Sequence, residues 1–327
     1  MKKIVFGLLM LLLSGKSFAQ HKIEVVREKV DSVLTERYEK ITYDTTFIKR
    51  PDKRLMLRMM GSLAGNVIKS KNVTSGNDTH AHLSTETKGT MSVGANYMGL
   101  TATLALNPGK LSGRNKDFEI NVNAFTNRYS LDFSYQESKT LSGNISTISS
   151  NYHVDKGFVS SKMLNIAGYY TFNYKRFSYP AAFAQSYIQK RSVGSWLAGF
   201  SYQGGTIKTT DEAPSTIPET RIYVGNFAIG GGYGYNLVIK NVLLHASGMP
   251  TFVVLNNNNV KFDGVRKDES TYFPEMIING RAAVVYSINP KYFVGSTFIV
   301  NTTLFGNEKH YTEQVKWRGR VFFGFRL

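Results

Sequence analysis

Val315-Lys316-Trp317-Arg318-Gly319-Arg320-Val321-Phe322-Phe323-Gly324-Phe325-Arg326-Leu327 is the last stretch of the chain, and its reading decides the fold class. Side chains alternate between the two faces of a strand. One face collects Val315, Trp317, Gly319, Val321, Phe323, Phe325 and Leu327. The other holds Lys316, Arg318, Arg320, Phe322, Gly324 and Arg326. A soluble edge strand rarely sets so continuous a hydrocarbon face behind a row of cations. A strand of a transmembrane antiparallel β-barrel does so by construction, with lipid on one side and water on the other.

The other end of the chain agrees with this reading. Met1-Lys2-Lys3 is basic, Ile4 to Leu13 is apolar, and Ser17-Phe18-Ala19 is a small-x-small ending before Gln20. That is the pattern of a cleaved secretory signal over residues 1–19. Its apolar run is too short to span a bilayer, and no later stretch approaches the roughly 20 apolar residues a membrane helix needs. With no cysteine, disulfides, thiolate metal sites and cysteine nucleophiles are excluded. Aromatic residues make up 13% of the chain, including 19 Tyr and 21 Phe. The formal charge is +17, and losing Lys2, Lys3 and Lys16 with the signal leaves +14. For an exported chain that balance points to lipopolysaccharide or anionic small solutes rather than to nucleic acid.

Residues 20–53 read as a short periplasmic leader. Ile23, Val26, Val30, Val33, Leu34 and Ile41 recur at helical spacing, so an amphipathic helix and a flexible arm are both open. Pro51 stands just before the first strand. From Arg54 onward the period is two. Short turns are expected near 97–99, 126–127, 236–240 and 288–291. Long polar loops are expected near 66–88, 138–160, 205–219 and 256–273. Short and long connections alternate, as they do when short turns face the periplasm and long loops face outside. Twelve strands over 54–327 result, with both ends of the barrel in the periplasm. Residues 174–191, with Pro180 and Ala181-Ala182-Phe183-Ala184, alternate poorly. They form a long periplasmic connection, or two more strands for a total of fourteen. Tyr97, Tyr129, Phe172, Tyr174, Tyr235, Tyr286 and Tyr292 cluster at the short turns, as ring side chains do at a membrane interface.

Four stretches carry a resemblance. They are Asp44-Thr45-Thr46-Phe47-Ile48-Lys49-Arg50-Pro51, Ser92-Val93-Gly94-Ala95-Asn96-Tyr97-Met98-Gly99-Leu100, Phe172-Asn173-Tyr174-Lys175-Arg176-Phe177-Ser178 and Gln189-Lys190-Arg191-Ser192-Val193-Gly194-Ser195. The chain after residue 43 resembles an uncharacterised Bacteroides-type family of exported proteins, classed as a domain of unknown function. The resemblance implies an outer-membrane barrel and carries over no catalytic residue.

Each candidate for chemistry has a structural reading beside it. His245 and Ser247 share one strand face, a spacing that resembles the His-x-Ser of outer-membrane phospholipases. There the histidine would take the serine proton while a nearby polar residue orients the ring. No Asn-Gly-Arg continuation follows, and the structural reading is a polar lumen wall. Asp78, His80 and His82 could ligate a metal, or be a solvated loop. Gly230-Gly231-Gly232-Tyr233-Gly234-Tyr235 lacks the Lys-Ser/Thr ending of a phosphate loop. Its glycines read instead as a lumen face kept empty for bulky neighbours or a plug. Arg281, Lys316, Arg318, Arg320 and Arg326 are expected to line the bore. They either favour anions or pair with Asp117, Glu119 and Asp132 in a closed network. A twelve-strand bore lies between filled and open barrels, so both outcomes stand.

The expectation is a non-enzymatic outer-membrane barrel, either a small anion-leaning channel or a structural and interaction barrel. The alternative is a barrel-embedded lipid hydrolase, of phospholipase or lipid A deacylase type, using His245 and Ser247. No cofactor is expected. Outer-membrane lipid, lipopolysaccharide and the barrel-assembly machinery are the expected partners, with anionic small solutes as candidates.

Overall fold

The computed structural model describes residue 32, residues 35–36 and residues 38–327. Residues 75–76, 99, 107–116, 149, 216, 218, 263–264, 268–274 and 307–309 are excepted. The signal, most of the leader, Gly99, the Asn107-Pro108-Gly109 turn and much of the 256–273 loop therefore lie outside the described residues.

Among the described residues, seventeen strands and the short helix Tyr179–Phe183 are formed, and residues 32, 35–36 and 38–39 of the leader are also helical. The ring consists of β2 (Leu55–Thr74), β3 (Asn77–Ser84), β7 (Tyr129–Thr147), β8 (Asn151–Thr171), β10 (Val193–Thr209), β11 (Thr220–Ile239), β12 (Val242–Asn256), β15 (Met276–Ser287), β16 (Tyr292–Gly306) and β17 (His310–Arg326). Every neighbour pair is antiparallel, and pairing of β10 with β11 closes the circle. Closure removes the free edges that an open sheet would leave unpaired.

Ten strands close this ring, and two more broaden one end of it. β4 (Lys88–Tyr97) continues β3 along β2 and takes β5 (Leu100–Leu106) as its other neighbour. β6 (Phe118–Phe125) pairs with the near half of β7. Among the described residues β5 and β6 share no ladder. The twelve strands expected from the sequence thus correspond to ten that close and two inserted at the short-turn end.

The expected loops at 66–88 and 138–160 require correction. Both are largely strand: β2 and β3 form one hairpin through Thr74 and Asn77, and β7 and β8 another through Thr147 and Asn151. Strands of 19 to 21 residues exceed the roughly 9–11 that a tilted membrane strand uses. Their far halves turn polar residues outward, among them Lys69, Lys71, His80 and His82. The rest of the 256–273 loop adds β13 (Asn259–Phe262) on β11 and β14 (Val265–Lys267) on β13.

The alternation in the final strand holds. Val321 is 63% exposed and Phe323 41%, while Phe322 and Arg326 are buried. On β11 the odd positions Tyr223, Ile229, Tyr233, Tyr235, Leu237 and Ile239 face out, and Val224, Ala228 and Asn236 face in. Tyr129, Phe172, Tyr235, Tyr286 and Tyr292 are exposed around the short-turn end. Arg128 lies over the rings of Tyr129, Tyr170 and Tyr174 there.

The 174–191 connection forms neither two ring strands nor a loop outside the barrel. It holds α1 (Tyr179–Phe183), in which every residue is buried, and β9 (Ile188–Gln189). Ser178 caps α1, accepting at its hydroxyl from the Ala181 N–H at 3.3 Å, and Pro180 sits in the first turn. β9 pairs with β1 (Ile48–Lys49) from the end of the leader. Residues 43–49 are therefore part of this assembly rather than a free arm. Phe177, Tyr179, Ala182 and Phe183 pack inside the ring against Met60, Leu197, Leu243, Met249, Ala283, Val285 and Phe293. A second buried apolar cluster, Ile68, Leu83, Leu141, Val154, Val159 and Ile217, lies toward the long-hairpin end.

Candidate functional site

The site is the 174–191 segment inside the ring, hereafter the stopper, and the wall it grips. Arg58 projects inward from β2 and donates to the Phe183 carbonyl at 3.1 Å and to Gln185 Oε1 at 2.7 Å. Gln185, in the left-handed region at φ 53°, turns the chain just after α1. Phe183 stacks on Phe125 of β6 at 5.9 Å. Gly234 faces the stopper: a Cβ there would lie 3.1 Å from Phe177 Cζ and 3.2 Å from Ser247 Cβ. A larger residue at this point would take space that the stopper uses.

His245 and Ser247, expected as neighbours on one face, meet here. His245 is buried, with its ring 5.0 Å from Tyr179, 5.0 Å from Phe183 and 5.9 Å from Phe177. Tyr179 donates its hydroxyl to Ser247 Oγ at 2.8 Å. Ser247 lies 3.0 Å from His245 Nε2, and His245 Nδ1 lies 2.7 Å from Asn236 Oδ1. One tautomer satisfies all of these: Ser247 donates to Nε2, and Nδ1–H donates to Asn236. Asn236 in turn donates to the Ser178 carbonyl at 3.1 Å and to Gln189 Oε1 at 3.0 Å. The chain of bonds leaves the stopper at Tyr179 and returns to it at Ser178.

Serine, histidine and an orienting amide stand in nucleophile–base–orienter order. Aromatic rings of the stopper occupy the space above them, and Tyr179 already engages Ser247. As built, the group clasps the stopper. The sequence reading found His245 and Ser247 but missed Asn236, Tyr179, Gln189 and Arg58. Asn236 was within reach, because β11 and β12 form a hairpin whose register sets Asn236 opposite His245.

Gln189 is the knot of the assembly. Its Nε2 donates to the carbonyls of Arg176 at 2.7 Å and Phe47 at 3.2 Å, and its Oε1 accepts from Ser178 N at 3.0 Å. Asp44 N–H donates to the Lys175 carbonyl at 2.8 Å, and Arg176 pairs with the Asp44 carboxylate at 3.2 Å. Hydrogen bonds from the Thr46 hydroxyl and Thr46 N–H, with Arg176 beside it, hold the Asp44 carboxyl below its usual range. Three of the four resembling stretches, around residues 44–51, 172–178 and 189–195, are thus brought together in one structure.

The expected bore-lining cations all lie on inward positions, and several are engaged across the bore. Arg281 pairs with Asp132 and donates to the Tyr169 hydroxyl at 2.8 Å. Arg318 pairs with Glu119 and donates to Asn121 at 2.7 Å. Arg320 donates to Ser62 at 3.3 Å, and Arg326 donates to the Pro290 carbonyl at 3.2 Å over the Phe293 ring. Lys316 lies between the Asn279–Asn301 row and Asn66 in register. Asp117 takes Lys88 at 2.9 Å and also accepts from Lys139 N–H at 2.6 Å and the Thr140 hydroxyl at 2.8 Å. Gln203 donates to Gln314 and Gln314 to Asn66, bridging three strands at 2.7 and 3.2 Å.

Asp78, His80 and His82 sit on β3, where His80 and His82 are exposed and Lys71 and Lys69 lie directly opposite them. Among the described residues no three His, Asp or Glu side chains are grouped to hold a metal ion.

A family profile described as "Domain of unknown function (DUF4421)" matches residues 42–327. The chain belongs to the DUF4421 family. Its match begins where the chain docks on the stopper. No curated protein matches the chain. Among solved structures, the outer-membrane protease OmpT of Escherichia coli is 8% identical with TM-score 0.46, covering 89% of this chain and all 100% of that one. The translocator domain of the autotransporter NalP of Neisseria meningitidis is 9% identical with TM-score 0.31, covering 94% and 98%. The P. putida toluene transporter TodX is 9% identical with TM-score 0.27, covering 85% and 91%. The barrel assignment rests on the strand pairing itself and not on these likenesses.

Proposed function

We propose that this DUF4421 protein is a non-enzymatic barrel of the outer membrane of a Gram-negative, Bacteroides-type bacterium, stoppered at rest from its periplasmic end. The observation that carries the reading is the 174–191 segment, folded into the ring and gripped by Arg58, Ser247 and Asn236. Outward apolar faces on β11 and β17 and the exposed aromatic residues at the short turns support membrane insertion. The closed ten-strand ring satisfies its backbone internally, as hydrocarbon requires.

The inward cations Arg58, Lys88, Arg281, Lys316, Arg318, Arg320 and Arg326 outnumber the inward acids Asp117, Glu119, Asp132 and Glu275. With the stopper withdrawn, such a lumen favours anions. In planar bilayers the wild-type protein is expected to be silent. The double variant Arg58→Ala, Gln185→Ala is expected to show stepwise, anion-preferring conductance. Conductance in the wild type, or a silent double variant, overturns the stoppered-channel reading; the second result leaves an envelope interaction role.

The aligned Asn236, His245 and Ser247 favour one second reading, a lipid hydrolase released when the stopper moves. Its test is lipid hydrolysis by the double variant with and without Ser247→Ala. Fatty-acid release that depends on Ser247 supports it, and equal or no release removes it.

A further inference from the structure

A row of cations crosses the outer wall at the long-hairpin end. Register sets Lys208 of β10 opposite Arg221 of β11, and Arg221 opposite Lys261 of β13. Directly opposed residues of antiparallel strands project to the same side, with Cβ atoms about 5 Å apart. Arg221 shares the outward face of β11 with Tyr223 and Ile229. Lys208 and Arg221 are exposed and Lys261 is half-exposed. Arg221 donates to the Tyr223 hydroxyl at 3.3 Å. Among the described residues, none of the three is held in an ion pair.

Like charges directly opposite one another destabilise a sheet. Arg221 has the Tyr223 hydroxyl and the Glu219 carboxylate beside it, but with Lys208 and Lys261 opposite it the row stays net positive, and a multivalent anion would relieve it. Its height identifies the anion. Two residues nearer the short-turn end, about 7 Å along the strands, Thr206 faces Tyr223. Below that come Tyr202 with Phe227 and Phe200 with Ile229, an aromatic and apolar surface. Cations stacked just above such a surface meet lipid phosphates whose acyl chains cover the rings beneath.

We propose that Lys208, Arg221 and Lys261 bind the phosphate groups of an outer-leaflet lipid of lipopolysaccharide type. The proposal rests on the outer-membrane reading above. Its test uses the full protein in neutral detergent and two probes, lipid A carrying both phosphates and the same lipid A after enzymatic dephosphorylation, with bound lipid read by native mass spectrometry. The wild type is expected to bind the phosphorylated form at least tenfold tighter. Lys208→Gln, Arg221→Gln, Lys261→Gln is expected to lose that preference, and Arg221→Gln alone to weaken it. Lys69→Gln, Lys71→Gln, which removes exposed cations elsewhere on the wall, is expected to keep it. Equal binding of both probes by the wild type overturns the proposal. So does a preference that survives in the triple variant, or one lost equally in the Lys69/Lys71 variant. Each protein is also run on a gel before and after boiling. A wild type that stays soluble without detergent and shows no heat-dependent shift overturns the membrane reading itself. A normal shift with no phosphate preference overturns this proposal alone.

Discussion

At the scale of single residues, Asp117 is the clearest case of one side chain holding a fold together. It sits just before β6, which adds to the ten-strand ring at the short-turn end, and β7 is irregular there, with register shifts between Ser138 and Gly143. The carboxylate collects Lys139 N–H and the Thr140 hydroxyl, which the bulge leaves outside the ladder, and neutralises the buried Lys88. Asp117→Ala is expected to cost about 3–5 kcal/mol, the loss typical of stranding one member of a buried ion pair. The measurement is the urea midpoint of unfolding in micelles. A change below about 1 kcal/mol would mean that water reaches the fork and screens Lys88. None of this was visible in Asp117 as a letter: the sequence reading offered it only as one lumen acid among three. Its partners lie 22 to 29 positions away, and the bulge that needs it exists only once β3 meets β7.

At the scale of elements, the polar hairpins and the stopper show where pattern reading stops. Alternation of apolar and polar residues records a wall with lipid on one side and water on the other. The far halves of β2, β3, β7 and β8 turn polar residues such as Lys69, Lys71, His80 and His82 outward, so no apolar stripe marks them. They read as loops although the ladder continues through them. The stopper is opaque for the opposite reason. Its residues are buried on all sides, by wall and by one another, so they have no period to detect. Gly234 was legible, since its place opposite Tyr233 already suggested a face kept clear for a plug. Gly234→Phe is expected to displace α1 while leaving the ring intact. Amides of residues 178–189 should lose protection from hydrogen exchange by at least a hundredfold while those of β15 and β16 keep theirs. Unchanged protection at 178–189 would show that the wall, and not the stopper, yields to the added ring.

At the scale of the whole molecule, the architecture is a polar middle between the stopper at one end and a buried apolar cluster toward the other. Arg281 with Asp132, Arg318 with Glu119 and the Gln203–Gln314–Asn66 bridge span the middle. The stopper closes the short-turn end, and the Ile68–Leu141–Val154 cluster is buried toward the other. A ten-strand ring is narrow enough for side chains from opposite walls to meet, whereas porins of sixteen strands are not. The sequence by itself determined that this chain builds strands with a hydrocarbon outer face and a charged inner one, because that alternation is a local property of each strand. It also determined which cations turn inward, by parity alone. Only the tertiary structure decided that those cations meet acids across the bore, that 174–191 folds into the ring, and that Asn236, His245, Ser247 and Tyr179 form one chain of hydrogen bonds. The reason is that these are distances between residues far apart in sequence, set by ring closure and strand register, and no local period encodes them.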